Sequence, residues 1–340
     1  MKKVLGIMLC LCMVFGLAAC GGGESGGGAA VEAEYNLGMG VVLDTDSSKT
    51  ELAQVDATVA AVVTDADGKI VSCRIDCVQD KMEVVGGAVD AAKTFKTKME
   101  LGDDYGMVAY GNAIAEWDAQ AKAFEEYVVG KTGEEVAAIE TTTNDHGYAV
   151  AADEALYAGC TMQITDFIEA VVKACADEKG QSFATADTFT LGVAAISDAS
   201  ESTAAADGND AVVKMYSEYA AAVVGADGTI LAAVNDATQP KINVNASGEI
   251  VSAEYKATKR ELGSDYGMVA YGNAIAEWDA QSDAFSKYVV GKTAEEVAAI
   301  ETTTNDHGYV VAADEALYAG CTMQISGMME VVAQAANYAR

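Results

Sequence analysis

Proline is almost missing from this chain: Pro240 is the one instance in 340 residues. Phenylalanine occurs seven times and histidine twice, and Lys plus Arg number 21 against 52 Asp plus Glu. With few large aromatics, Ala, Val and Gly must build the core. Small side chains let a helix approach a sheet closely but gain less per residue on burial. A formal charge of −31, with no basic stripe beyond the first three residues, argues against nucleic acid as a partner. Neutralising phosphates takes clustered Lys and Arg. The two histidines, His146 and His307, lie in identical Thr-Asn-Asp-His-Gly-Tyr loops with no Cys or second His nearby in sequence, which is no metal-ligand pattern. Val129-Gly130-Lys131-Thr132 lacks the glycine that a phosphate loop needs five residues before Gly130. Glu125 stands there, and Ser286 in the second copy.

What is present points to a folded protein. Apolar residues make up 51% and charged residues 21%, a globular balance, and the length suffices for two domains. The N-terminus has its own chemistry. Lys2 and Lys3 precede an apolar run, Val4–Leu17, that is too short to span a bilayer with normal flanks and reads as a signal peptide. Leu17-Ala18-Ala19-Cys20 resembles the lipobox of bacterial lipoproteins, which implies a diacylglyceryl group on Cys20 as the mature N-terminus. The other reading is an ordinary cleaved signal peptide with a chance cysteine. Two or more acyl chains anchor a protein stably where one does not. Gly21–Ala30 is a flexible tether, with the linker running to Glu34; such a coil spans on the order of 5–6 Å × √n.

Eight cysteines then reduce to five, Cys73, Cys77, Cys160, Cys175 and Cys321, an odd set. Cys73 and Cys77 share a face of one expected strand at about 13 Å, too far to bridge. No disulfide framework is expected.

Glu100–Ile164 recurs as Glu261–Ile325 at a spacing of about 161 residues, a period that suits two tandem domains rather than a solenoid. Most of the differences, which include Ala121/Ser282 and Glu125/Ser286, are expected on solvent-facing helix positions. Val55–Thr64 and Lys69–Val78 flank Asp65-Ala66-Asp67-Gly68 as a β-hairpin, repeated as Ala220–Val224 and Thr229–Val234. Thr94–Leu101 and Glu254–Leu262 read as further strands. Ala113, Ile114, Trp117, Ala121, Phe124 and Val128 mark an amphipathic helix of about six turns ending at Gly130. Thr132 and Glu135 form a capping-box pattern, and Asp166–Ala174 and Gly327–Ala336 read as helices. Asp103 or Asp104 is expected near a helix cap. The fold class is α+β: two tandem duplicated domains, 35–180 and 187–340, each an antiparallel sheet packed with helices, joined through Gly180–Asp187.

Each duplicated block ends in Ala-Gly-Cys-Thr, giving Gly159-Cys160-Thr161 and Gly320-Cys321-Thr322. Glycine admits close backbone approach, and a threonine hydroxyl at a helix start faces free N–H groups that favour phosphate. This block, with its hairpin, Tyr-Val-Val-Gly-Lys-Thr and triplet, resembles the FMN-binding domain family. There a Ser/Thr-Gly-Ala-Thr motif carries FMN as a phosphoester on its last Thr, installed by a flavin transferase. With the lipobox and tether, the chain resembles the doubly flavinylated lipoproteins of Gram-positive extracellular electron transfer. That likeness implies two covalent FMN groups on Thr161 and Thr322, with Gly159, Cys160, Gly320 and Cys321 beside them. It also implies a membrane electron donor, an external acceptor, and a lipid-anchored place on the extracytoplasmic face of the cell membrane. The chain departs from the motif at Ala158 and Ala319, where the family has Ser or Thr, and at Ala155 and Ala316, where it has Asp. The alternative from another class is a flavin-free surface lipoprotein that binds a small ligand or a protein.

Overall fold

The computed structural model describes residues 32–254 and 257–340. The expected signal peptide, Cys20 and the linker through Val31 lie outside the described residues. Strands β1 (Ala33–Asp44), β2 (Leu52–Asp65) and β3 (Ile70–Glu83) form an antiparallel meander, followed by the two-residue β4 (Thr94–Phe95). Next come helices α1 (Lys98–Leu101), α2 (Met107–Gly111), α3 (Trp117–Val128) and α4 (Gly133–Ala137). The hairpin β5 (Thr141–Thr143) and β6 (Ala149–Ala151) leads to α5 (Glu154–Tyr157) and α6 (Thr165–Cys175), and β7 (Gln181–Thr185) follows.

The second half repeats the plan. Its strands are β8 (Phe189–Asp198), β9 (Ala211–Lys214), β10 (Tyr216–Gly225), β11 (Ile230–Thr238), β12 (Lys241–Val244) and β13 (Ile250–Glu254). Then come α7 (Lys259–Leu262), α8 (Met268–Gly272), α9 (Trp278–Val289), α10 (Ala294–Ala298), β14 (Thr302–Thr304), β15 (Val310–Ala312), α11 (Glu315–Tyr318) and α12 (Ser326–Asn337).

Two four-stranded antiparallel sheets result, in the orders β3-β2-β1-β7 and β11-β10-β8-β4. The hairpins form where the sequence places Asp and Gly. Gly68 turns with φ 75°, and Asp65 Oδ1 accepts from the N–H groups of Asp67 and Lys69. Each sheet buries both faces. The inner faces meet in a shared core that includes Leu37, Val59, Val63, Leu191, Tyr219 and Val223. The outer face of the first sheet packs α3 and α6 through Val62, Ile75, Phe124 and Phe167, and the second repeats this with α9 and α12. The order of layers is therefore helices, sheet, sheet, helices.

The small residues decide how close those layers come. A Cβ on Gly38 or Gly40 of β1 would fall on the carbonyl oxygens of Ala174 or Ala170 in α6, and one on Gly192 of β8 on that of Ala335 in α12.

Several expectations fail in informative ways. Thr94–Leu101 is a strand only at Thr94–Phe95, because Thr97 caps α1 through a reciprocal pair with Glu100. Thr258 and Glu261 do the same for α7, so Lys259–Leu262 is helix rather than strand, and of the described residues of that expected strand Glu254 alone lies in one, as the end of β13. The long helix is only Trp117–Val128: Asn112 adopts φ 52°, Ile114 is exposed, and Glu116 takes the N-cap position. Ala121/Ser282 and Glu125/Ser286 are buried rather than solvent-facing. Glu125 Oε1 accepts from the Ile75 N–H at 2.8 Å, and Ser286 Oγ accepts from Asn235 at 2.8 Å, so both positions face the sheet. The connection through Gly180–Asp187 is itself strand β7, paired to β1, while β4 of the first half pairs with β8 of the second. The connection thus supplies an edge strand to the first sheet, and the first half supplies one to the second. No helix among the described residues is long and apolar enough to cross a membrane.

Candidate functional site

The two triplets occupy the same place in each half, between α5 and α6 and between α11 and α12. Asp153 opens the segment by capping α5: its Oδ1 accepts from the N–H groups of Ala155 and Leu156 at 2.8 and 3.1 Å. These backbone donors hold its carboxyl below the usual range, and Asp314 repeats the arrangement. Gly159 then passes against α3, where an added Cβ would meet Ala123 Cβ at 2.8 Å; at Gly320 the neighbour is Ala284 at 2.9 Å. Glycine is required here by packing on the helix.

Cys160 and Cys321 are fully buried in the half-specific cores, and burial pushes both thiols up to about 11. Thiols so placed are poor nucleophiles at neutral pH. Cys73, Cys77 and Cys175 are free as well.

Thr161 and Thr322 are half-buried and lie short of the helices they were expected to start. Helix α6 begins at Thr165 behind Ile164, so the Thr161 hydroxyl is not a cap. It turns to α3 instead. The Thr161 N–H and hydroxyl both donate to Gln120 Oε1, at 2.9 and 3.1 Å. Thr322 makes the same pair with Gln281 at 2.9 and 3.2 Å. Both glutamines are fully buried, and each spends its Nε2 donor on a carbonyl at 2.8 Å, Ala115 or Ala276.

That carbonyl ends an apolar loop. Glu116 closes the loop by accepting from the N–H groups of Met107 and Val108 at 2.8 and 3.0 Å, as Glu277 does in the second half. Tyr110 and Tyr271 stand almost fully exposed on these loops, and Ile114 and Ile275 are exposed too. One amide therefore joins each triplet threonine to an exposed apolar loop. Sequence reasoning missed Gln120 and Gln281, although a glutamine on the buried stripe with Trp117, Ala121 and Phe124 is itself a signal.

The N-termini of α6 and α12 carry no side-chain cap, but carboxyls stand close to both. Burial pushes the Asp166 carboxyl in the first turn of α6 up, and the neighbouring Asp44 and Glu169 add to this against a smaller downward pull from Thr165 and Lys98. Glu218 lies beside Gly327 in the first turn of α12. Lys98 rests over Tyr105 and Trp117, and Lys259 over Tyr216, Tyr266 and Trp278 at 4.6–5.6 Å. Beside the second triplet a cleft of ≈ 500 Å³ is lined by Thr303, Asn305, Val311, Glu315, Tyr318 and Ala319.

The other singled-out segments serve the fold. Asn144 Oδ1 accepts from the N–H groups of His146 and Tyr148 at 3.0 Å, so His146 is an exposed turn residue. His307 matches it. Among the described residues no cluster of His, Cys, Asp and Glu is placed to hold a metal ion. The Gly130 N–H donates to the Ile70 carbonyl and the Lys131 N–H to the Val128 carbonyl, which uses the amides a phosphate loop would offer. Asp103 and Asp104 lie in a short 3-10 turn and cap nothing with their side chains.

One curated protein is similar in sequence, a chlorophenol reductase of Desulfitobacterium hafniense. It is 35% identical over 137 residues, which is 35% of this chain and 42% of that protein. The chain thus spans less than half the length of that relative. No family model matches, and no solved structure matches.

Proposed function

We propose that the protein is a lipid-anchored, extracytoplasmic electron carrier with FMN attached covalently to Thr161 and Thr322. The observation that carries this reading is the pair of half-buried threonine hydroxyls held by the same buried amide in both halves. The residues present fit the group. Each hydroxyl borders the surface, and each following helix begins a few residues on without a side-chain cap. When bound, the isoalloxazine would supply the redox chemistry.

The chain's own residues do the rest. Gln120 and Gln281 hold the attachment points, the buried Cys160 and Cys321 pack beneath them, and Gly159 and Gly320 let the segment lie flat on α3 and α9. The partial likeness to a reductase supports a redox role at this coarse level. The lipobox at Cys20 and the Gly-rich tether support an anchor at the membrane, with a membrane electron donor on one side and an external acceptor on the other. Domains 35–180 and 187–340 would each carry one flavin, and a flavin transferase would install it.

The test is co-expression with a flavin transferase followed by in-gel flavin fluorescence. Fluorescence in the wild type and none in the Thr161→Ala, Thr322→Ala double variant is the expected result. Equal fluorescence in both would defeat the assignment.

A further inference from the structure

We propose that Gln120 and Gln281 are the positioning residues that ready Thr161 and Thr322 for esterification; the proposal rests on the flavin reading above. Each glutamine is fully buried and has no freedom of orientation. Its Nε2 is committed to the carbonyl of Ala115 or Ala276, so its Oε1 must face the triplet. There it accepts two donors from one threonine, the N–H and the hydroxyl.

A packed turn needs only the first of these. The hydroxyl of a half-buried threonine could bond water equally well. Holding it on Oε1 fixes the side-chain torsion and leaves the oxygen lone pairs directed away from the amide. The same geometry persists although the neighbouring buried positions differ between the halves, Ala121 against Ser282 and Glu125 against Ser286.

Esterification breaks the threonine Oγ1–H bond and forms Oγ1–P. In water the phosphorus must arrive activated, as an FMN phosphoanhydride. Its P–O–P bond breaks, the nucleotide monophosphate leaves with the electron pair, and the proton passes to a base of the transferase. Glutamine is not that base, so its part is orientation. After the reaction Oε1 retains the threonine N–H, and the attachment residue keeps its backbone anchor.

The experiment uses the full chain co-expressed with a flavin transferase, with flavin on each threonine read by peptide mass over time. Gln120→Leu should slow loading of Thr161 by about tenfold or more, the scale of one lost hydrogen bond to an oriented group, while Thr322 in the same molecules loads normally. Thr322 thus reports that the chain still folds. Gln120→Glu places a buried carboxyl that burial keeps protonated, so it retains an acceptor for Thr161 and a donor for the Ala115 carbonyl, and it should load Thr161 within about threefold of wild type.

Unchanged loading in Gln120→Leu would overturn the proposal. So would a Gln120→Glu variant that melts like wild type yet fails as badly as Gln120→Leu, since an acceptor for the Thr161 hydroxyl would then be shown not to matter. A wild-type chain that takes no flavin on either threonine sinks the flavin reading and this proposal with it. A loaded wild type beside an equally loaded Gln120→Leu sinks the positioning role alone.

Discussion

Ser197 of β8 donates its hydroxyl to the buried Asp80 carboxylate of β3, fastening a strand of the second half to one of the first. Burial pushes the Asp80 carboxyl up to about 7. The same cause raises Asp76 to about 7 and Asp236 to about 6. These groups bind protons more tightly folded than unfolded, so their contribution is complete at about pH 4 and is lost as pH rises toward 7. The expected outcome is a melting temperature that falls between pH 5 and pH 8, by the equivalent of a few kcal/mol in order of magnitude. Asp80→Asn should flatten part of that dependence. A melting temperature that rises over the same interval would refute the assignment.

Close packing of α6 on β1 makes Gly38 intolerant of any side chain. Gly38→Val should cost about 3 kcal/mol or more, read as a lower urea midpoint at unchanged slope. Gly111 meets nothing within 4 Å of an added Cβ, so Gly111→Ala should change stability by no more than about 0.5 kcal/mol. Equal effects at the two sites would contradict the packing described.

Neither half should stand well alone. Residues 187–340 expressed without the rest would lose the β4 edge and expose the inner sheet face around Tyr219, Val223 and Val234. We expect such a fragment to bind a hydrophobic dye and to melt without cooperativity. A sharp transition at the temperature of the full chain would show that the shared core is dispensable.

Much of this fold is legible in the sequence where the signal is local. The hairpins announce themselves through apolar runs around an Asp-Gly turn, and the Thr132–Glu135 capping box appears where its letters stand. Thr97 with Glu100 carries the same letters, but alternation in the preceding residues masks them. Asn112 breaks the long helix by a left-handed turn that periodicity does not register. The pairing of β4 and of β7 has no local trace, because each finds its partner about a hundred residues away or more. At the site, the triplets are visible as repeats. Their partner amides are not, since Gln120 lies 41 residues from Thr161 and only folding brings them together.

The central claim is that two threonines carry flavin, and intact mass of the full chain co-expressed with a flavin transferase tests it most directly. The account predicts a gain of two FMN groups less two waters, falling to one in Thr161→Ala and again to one in Thr322→Ala. A mass that matches the polypeptide alone, or flavin that survives in the double variant, would contradict it.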